Sequence, residues 1–306
     1  MSLPTFRRLR VALEAGIARV VIDNPPVNVL DVGLATELVG LLDAFRDDGS
    51  VRVIIFESAN PEFFIAHVDM TLIDEPTAFE DLAQSLPPFA NPFQAIAMRL
   101  RDQPQLTIVK LTGKARGGGA EFVAAADLSF AARETAGLGQ VEALMGIIPG
   151  GAGTQLLAER TTRGRALEIV LGADLIDADV AERYGWINRA LPAADLDAFV
   201  DRLARNVAAL PDGVLAAAKA ALPPSPLEDG LKREHEAWAG LFARPAAEIL
   251  IRGGLNAGAQ TVEGERYLEG LLRQLWKGVR SATERQGEGV SETPLPLERD
   301  EGGPSR

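Results

Sequence analysis

Three consecutive glycines followed by a carboxylate form the stretch of the sequence with the clearest chemical potential. The triplet 117–119 follows the apolar segment 107–111 and comes just before Glu121. A glycine-rich turn that enters a helix leaves backbone N–H groups free to bind an anion, and the helix dipole adds to that preference. A phosphate, a dinucleotide or a developing oxyanion would fit such a turn. Close packing of a helix against a strand would also require glycine, and the residues alone leave this alternative open.

The spacing around the triplet narrows the choice of ligand. The Gly-Lys-Ser/Thr of a P-loop does not follow it, and the G-x-G-x-x-G spacing of a dinucleotide-binding turn is not met. An oxyanion hole remains, in which backbone donors approach a carbonyl oxygen with no side chain between them. Two other stretches add candidates: the loop 61–70 after the apolar segment 51–56, and the segment 138–155, which places Glu142 before a glycine-rich turn.

Composition and charge exclude several classes of function. The chain has 306 residues, of which 47% are hydrophobic and 24% charged, as in a globular protein of about one or two domains. Its net charge of −12 argues against nucleic acid as the main partner. With no cysteine and only two histidines, His67 and His235, we expect no disulfide and no metal site. The N-terminus lacks the apolar stretch of a signal peptide, and no apolar run is long enough for a membrane span. We therefore expect a cytoplasmic protein.

The elements that must position the candidate residues alternate between strands and helices. Residues 8–22 predict an N-terminal hairpin, and residues 34–45 have the apolar spacing of an amphipathic helix. The short apolar segments 51–56, 107–111 and 128–131 predict strands that are buried on both faces. This alternation is typical of an α/β fold with some parallel pairing.

The chain changes character in its last third. Segments 200–210, 216–222 and 265–276 have helical spacing, whereas 281–306 has few large apolar side chains and predicts disorder. The segment 73–93 is rich in Pro and acidic residues and then in aromatic ones, which predicts either an irregular connection that lines a pocket or a variable surface loop. The predicted units are an α/β core over 1–192, a helical region over 193–280 and a disordered tail over 281–306.

Taken together, these stretches resemble the crotonase family, also called the enoyl-CoA hydratase/isomerase family. The resemblance covers about residues 10–220 and rests on motifs that occur in the family's order. The motifs are VVIDNPPVNVL at 20–30, FFIAHVDM at 63–70, GKARGGGAEFVAAADLSFAA at 113–132, GQVEALMGIIPGGAGTQLL at 139–157 and GRALEIVLGADLIDADVAERYGWINRALP at 164–192. The resemblance implies a crotonase-like spiral of repeated ββα units with a helical C-terminal part, and acyl-CoA thioesters as ligands.

The resemblance also implies an oxyanion hole made of backbone N–H groups. The two donors would be the N–H groups of Val68 and Gly118, which would hold the thioester oxygen. The neighbouring positions that would bind substrate are Ala66, His67, Gly117 and Gly119. His67 stands where the family usually has glycine, so it either fills a structural role, reshapes the CoA-binding loop or adds a titrating group near the site.

Two glutamates match the acid and base of the family's hydratases. By this resemblance Glu121 is the base that activates water, and Glu142 is the acid that protonates the α-carbon of a 2-enoyl-CoA. Val141 replaces the usual proline, and the stretch 128–138 is about one residue longer than usual. Either change could displace Glu142. Alternatives are an enoyl-CoA isomerase, another thioester reaction such as hydrolysis or decarboxylation, and a non-catalytic acyl-CoA-binding or assembly paralogue.

The resemblance carries expectations about cofactors and partners as well. No metal or redox cofactor is expected, because coenzyme A enters as part of the substrate. A homo-oligomer, a trimer or a hexamer, is the usual assembly of the family. The length of the acyl chain is not indicated by any motif.

Overall fold

Two sheets and their surrounding helices form the part of the chain that the computed structural model describes, residues 4–75, 77–83, 87 and 90–285. The strands are β1 (Leu9–Glu14), β2 (Ile17–Ile22), β3 (Val53–Ser58), β4 (Phe63–Ile65), β5 (Leu106–Leu111), β6 (Lys114–Arg116), β7 (Leu128–Ala132), β8 (Gly137–Gly139), β9 (Ile176–Asp177) and β10 (Arg189–Leu191). The helices are α1 (Val32–Arg46), α2 (Glu80–Ala83), α3 (Gln94–Arg101), α4 (Gly118–Ala125), α5 (Gly153–Arg160), α6 (Arg163–Gly172), α7 (Ala178–Tyr184), α8 (Ala193–Ala208), α9 (Val214–Ala221), α10 (Glu228–Phe242), α11 (Pro245–Asn256), α12 (Val262–Arg266) and α13 (Leu268–Arg285).

The N-terminal hairpin and the first helix are confirmed. Strands β1 and β2 pair antiparallel with Glu14 opposite Ile17, so the turn consists of Ala15 and Gly16. Both turn residues have positive φ, 48° and 79°, as the tight turn of a twisted hairpin requires. Helix α1 covers the predicted segment and begins after Asp31, whose side chain accepts the Leu34 N–H.

The central part of the chain repeats a ββα unit. In β3–β4–α3, β5–β6–α4 and β7–β8–α5, the first strand joins the six-stranded sheet and the second joins the four-stranded sheet. Successive first strands pair in parallel, and successive second strands do the same. Each repeat therefore stacks on the preceding one, and the predicted spiral of repeated ββα units is confirmed.

Helices cover the six-stranded sheet on both faces, as the uninterrupted apolar strands predict. On one face, α1 packs its apolar side into the largest core cluster. On the other, Leu196 and Val200 of α8 pack against Val53 and Ile108 of the strands. The six-stranded sheet is thereby buried between helices on both faces.

The predicted helical C-terminal part is also present, with different boundaries. The helix expected over 265–276 is two helices, because α12 ends at Arg266 and α13 begins at Leu268. Helix α13 continues to Arg285, into the segment predicted to be disordered, and the remainder of that segment, 286–306, lies outside the described residues. In the described part of the chain, no helix has the length and apolar character needed to cross a membrane.

Candidate active site

Five of the eight predicted site residues line one cavity of about 380 Å³. Its lining includes Glu121, Glu142, Val68, Gly118 and His67, which come from segments far apart in the sequence. The other lining residues are Asp69, Met70, Leu72, Ile73, Glu75, Phe79, Asn91, Pro92, Phe93, Val141, Met145, Ile147, Gly150, Gly151, His235, Trp238, Phe242 and Ile251. The segment 73–93 thus contributes to a pocket wall, as one of its two interpretations predicted.

The three glycines of the triplet are required for three different reasons. Gly117 has φ of +46°, which disfavours an L side chain, and an added Cβ would lie 2.7 Å from Glu142 Oε1. A Cβ on Gly118 would lie 2.6 Å from Val68 Cγ2 and 3.8 Å from Val68 N. A Cβ on Gly119 would lie 2.2 Å from Ile65 O, which makes this position a packing requirement. Gly119 is therefore required for close packing, whereas a side chain on Gly117 or Gly118 would collide with Glu142 or Val68.

The N–H groups of Val68 and Gly118 are available as hydrogen-bond donors. Leu30 pairs with the loop around Val68, because its N–H donates to His67 O at 2.8 Å and its O accepts from Asp69 N at 3.2 Å. These bonds direct the intervening Val68 N–H away from Leu30, since N–H groups alternate sides along an extended chain. Gly118 is the first residue of α4, so its N–H has no acceptor within the helix. Among the described residues neither N–H donates a hydrogen bond.

Glu121 is buried at the start of α4, with its carboxylate held by the next loop. Its Oε1 accepts from the N–H groups of Gly151 and Gly153 at 2.8 and 2.9 Å. Burial raises the pKa of Glu121 well above its usual value, the charges of Glu142 and Glu234 raise it further, and the two N–H donors oppose the shift. The two bonds thus fix the direction of the carboxyl, and its raised pKa means that it binds a proton more tightly than an exposed glutamate does.

Glu142, the second catalytic candidate, is the first residue of a short 3₁₀ turn, and its side chain is buried. Burial raises its pKa to about 7, while its own backbone N–H and the charge of His67 act in the other direction. Gln140 Nε2 donates to both carboxylate oxygens, at 3.0 and 3.2 Å, in the amide orientation that satisfies both ends of that side chain. Val141 packs in a core cluster beside the turn, and Glu142 still lines the cavity despite the departures from the usual motif.

A third buried glutamate supports the loop that holds Glu121. Glu234 of α10 accepts from the N–H groups of Ala152 and Thr154, at 2.6 and 2.9 Å, and from the Thr154 hydroxyl. Burial raises its pKa, and the donors of Thr154 and Gln94 counteract that shift. Because like charges that share a buried site resist joint ionisation, the carboxyls of Glu121, Glu142 and Glu234 bind protons more tightly than isolated glutamates do.

Three predicted substrate-binding residues lie behind the cavity lining. Ala66 is fully buried and packs with Val27 and Phe63. Gly117 and Gly119 are likewise absent from the lining and instead set the backbone path described above. His67 does reach the cavity, but its ring nitrogens are bonded to Val68 O and to Glu265 Oε1, at 2.7 and 2.8 Å.

Sequence reasoning missed the contribution of the C-terminal helices to the site. Helix α10 supplies His235, Trp238 and Phe242 to the lining, and α11 supplies Ile251. The Trp238 ring stacks on Phe242 at 4.8 Å between centroids and lies 5.3 Å from Phe93 in an edge arrangement. The spacing of Leu231, Trp238 and Phe242 would have revealed a helix. It carries no information on which pocket the helix covers.

The chain is similar in sequence and in structure to proteins of one family. Residues 12–262 match the family described as enoyl-CoA hydratase/isomerase. The mitochondrial methylglutaconyl-CoA hydratase of Homo sapiens is 31% identical over 247 residues, which cover 80% of this chain and 67% of that protein. The carnitinyl-CoA dehydratase of Proteus mirabilis (strain HI4320) is 28% identical over 264 residues, covering 86% and 94%. A solved structure from Streptomyces avermitilis, provisionally described as an enoyl-CoA hydratase, is 60% identical with a TM-score of 0.88 and covers 89% of this chain and 100% of that one. The chain therefore belongs to the enoyl-CoA hydratase/isomerase family, the crotonase family, and is an enzyme of crotonase-type acyl-CoA chemistry.

Proposed function

We propose that the chain catalyses the addition of water to the double bond of a 2-enoyl-CoA thioester. The observation that supports this reaction most directly is the cavity that Glu121, Glu142, Val68 and Gly118 share, where the last two residues have N–H groups with no acceptor among the described residues. Hydration needs a base, an acid and a stabiliser for an enolate oxygen, and each has a candidate at this cavity.

Each group has one task in the proposed reaction. The N–H groups of Val68 and Gly118 donate to the thioester oxygen. The reaction starts with Glu121 ionised, a form that its bonds to two N–H groups favour against the burial and the neighbouring charges that raise its pKa. Ionised Glu121 removes a proton from water while the water oxygen bonds to the β-carbon. The electrons of the double bond move toward the thioester, and protonated Glu142 gives its proton to the α-carbon of the enolate. Return of the proton from Glu121 to Glu142 restores the starting state of the pair.

The cavity favours an uncharged acyl group. Four carboxyl side chains line it, and among the described lining residues there is no Lys or Arg: the acidic residues are Asp69, Glu75, Glu121 and Glu142. An acyl group that ends in a carboxylate, such as methylglutaconyl, would lose its hydration there without gaining an unpaired counter-charge, because the ring of His67 is already bonded to Glu265. The aromatic wall of Phe79, Phe93, Trp238 and Phe242 instead offers apolar contact. We infer that the substrate is an apolar 2-enoyl-CoA.

The loss of conjugated enoyl-thioester absorbance tests the proposed reaction. We expect rapid loss with wild type and a decrease of about 10²- to 10⁴-fold in both Glu121→Gln and Glu142→Gln, because each removes a proton-transfer group. Glu236→Gln is the matched control, since Glu236 is exposed on α10.

Other outcomes select the alternatives. Dependence on one glutamate alone, with migration of the double bond and no water added, would indicate an isomerase. Binding of acyl-CoA without turnover of any thioester would indicate a non-catalytic paralogue. Assembly as a trimer or hexamer and a cytoplasmic location remain part of this proposal.

A further inference from the structure

The ring of His67 makes two hydrogen bonds that together define its charge. His67 is 3% exposed, with Nδ1 at 2.7 Å from Val68 O and Nε2 at 2.8 Å from Glu265 Oε1. A backbone carbonyl only accepts hydrogen bonds. Glu265 itself accepts from Gln260 N at 2.9 Å and from Arg116 Nη1 at 3.4 Å, which favours its ionised form. Both ring nitrogens must then donate, so His67 is an imidazolium.

His67 is one end of a buried chain of alternating charges. Glu265 lies between His67 and Arg116, and Arg116 donates from Nε and Nη2 to the two carboxylate oxygens of Glu269, at 2.5 and 3.1 Å. Arg116 and Glu265 are fully buried. The four formal charges sum to zero, which is the condition under which ionised groups are retained away from water. We call His67, Glu265, Arg116 and Glu269 the charge chain.

The charge chain connects both sides of the predicted oxyanion hole to the C-terminal helices. His67 immediately precedes Val68, and Arg116 precedes the glycine triplet. Their shared partner, Glu265, belongs to α12, and Glu269, the second partner of Arg116, belongs to α13. The ring of His67 holds Val68 O, while Leu30 holds the peptide groups on either side of Val68. Each N–H donor thus lies close in sequence to a residue that contacts Glu265.

We propose that His67 is a positioning residue of the oxyanion hole, and that as an imidazolium within the charge chain it fixes the Val68 N–H opposite Gly118 and supplies a positive charge to Glu142. This inference rests on the proposed function, because it takes the N–H groups of Val68 and Gly118 to be the donors that bind the thioester oxygen during turnover. The groups that face His67 are Glu265 from α12, Arg116 from β6 and Glu142 from the 3₁₀ turn.

The electrostatics of the site agree with this role. Burial acts against the charged ring, but Glu265 and the Val68 carbonyl outweigh it and the opposing charge of Arg116, so the pKa of His67 is raised above its usual value. The pKa of Glu265 is lowered, since His67, Gln260 N–H and Arg116 together outweigh its burial. The charge of His67 also lowers the pKa of Glu142 against the effect of burial. Removal of that charge therefore makes Glu142 a weaker acid.

The charge of His67 can be measured without any turnover. The chain has two histidines, so a ¹H–¹³C spectrum of the imidazole groups contains two signals, which a His235→Asn variant assigns. We expect the His67 signal to titrate with a pKa above the ordinary value of ~6.5, because Glu265 and the Val68 carbonyl favour the imidazolium. A pKa of His67 below that ordinary value would overturn the proposal, whether or not the chain hydrates enoyl-CoA.

The positioning role is tested with His67→Gln, Glu265→Gln and the double variant, with Glu263→Gln as the matched control because Glu263 is exposed on α12. We expect each single variant to lose about tenfold to hundredfold in kcat, as small misplacements of catalytic groups do. We expect the double variant to lose little more. In His67→Gln, the limb of the pH–rate profile that reports Glu142 should move to higher pH. A wild-type pH profile, or losses that multiply in the double variant, would contradict the positioning role.

A binding readout separates this inference from the proposed function. The infrared carbonyl band of a bound, saturated acyl-CoA labelled with ¹³C at the thioester carbon reports hydrogen bonding in the hole. We expect the band to shift toward its solution position in His67→Gln and to stay in place in Glu263→Gln. An unchanged band in His67→Gln would refute the positioning role, whereas a shifted band in a chain that turns over no enoyl-CoA would refute only the hydratase proposal.

Discussion

At the scale of single residues, Gly118 offers the sharpest test of the predicted oxyanion hole. In Gly118→Ala the new Cβ would lie 2.6 Å from Val68 Cγ2, so the Val68 side chain or its loop must shift. We expect kcat to decrease about 10²- to 10³-fold, the cost of losing one donor to an oxyanion. Gly40→Ala in α1 is the matched control, because nothing lies within 4 Å of the added Cβ there. A folded Gly118→Ala enzyme with wild-type kcat would show that the hole is elsewhere.

Glu142 should lower the stability of the protein as pH rises. Its pKa of about 7 in the folded chain exceeds the ordinary value of 4.5, so the folded state binds this proton more tightly than the unfolded state. The contribution to stability is complete below about pH 4.5 and is lost as the pH rises through about 7. Relative to wild type, Glu142→Gln should therefore gain up to about 3 kcal/mol in free energy of unfolding at about pH 8 and little at about pH 4.

Denaturant unfolding at a series of pH values checks this expectation. Glu236→Gln is the control for exchange of an exposed carboxyl. A difference between wild type and Glu142→Gln that stays constant with pH would contradict the raised pKa. A gain in stability that grows with pH, together with the expected loss of activity, would show that Glu142 serves the reaction at a cost to stability.

At the scale of elements, helix α10 is expected to determine which acyl groups the enzyme accepts. Its Trp238 stacks on Phe242 and approaches Gly150 so closely that a Cβ there would lie 2.8 Å from Trp238 Cδ1. Trp238→Leu removes part of the apolar wall of the cavity. We expect kcat/KM for a long-chain 2-enoyl-CoA to decrease about tenfold relative to crotonyl-CoA, a change of the size that one pocket contact produces.

A panel of chain lengths with Trp238→Leu and Trp276→Leu measures this selectivity. Trp276 lies on α13 outside the cavity lining and is 44% exposed, so it controls for loss of a tryptophan. Equal losses for short and long acyl groups in Trp238→Leu would mean that the acyl chain does not reach α10.

The elements also show which features were predictable from the sequence. Local patterns predicted the hairpin and α1, because turn residues with positive φ and helical apolar spacing act over a few neighbouring residues. The motifs led to Glu121 and Glu142 because their sequence context is specific. The contacts of Glu234 and Glu265 were not predictable, since their partners are distant in sequence and an isolated glutamate on a helix usually indicates a solvated surface.

At the scale of the whole molecule, the net charge of −12 should slow the approach of a polyanionic CoA thioester. Salt weakens this repulsion, because the screening length falls from about 30 Å at 0.01 M to about 8 Å at 0.15 M ionic strength. The described lining of the cavity adds carboxyls and no Lys or Arg to compensate. We therefore expect kcat/KM to rise about two- to fivefold over this range of ionic strength. The matched substrate is the N-acetylcysteamine thioester of the same acyl group, which lacks the phosphates and should show no such rise. A decrease in kcat/KM with salt for the CoA thioester alone would instead locate basic groups at the entrance that bind the phosphates.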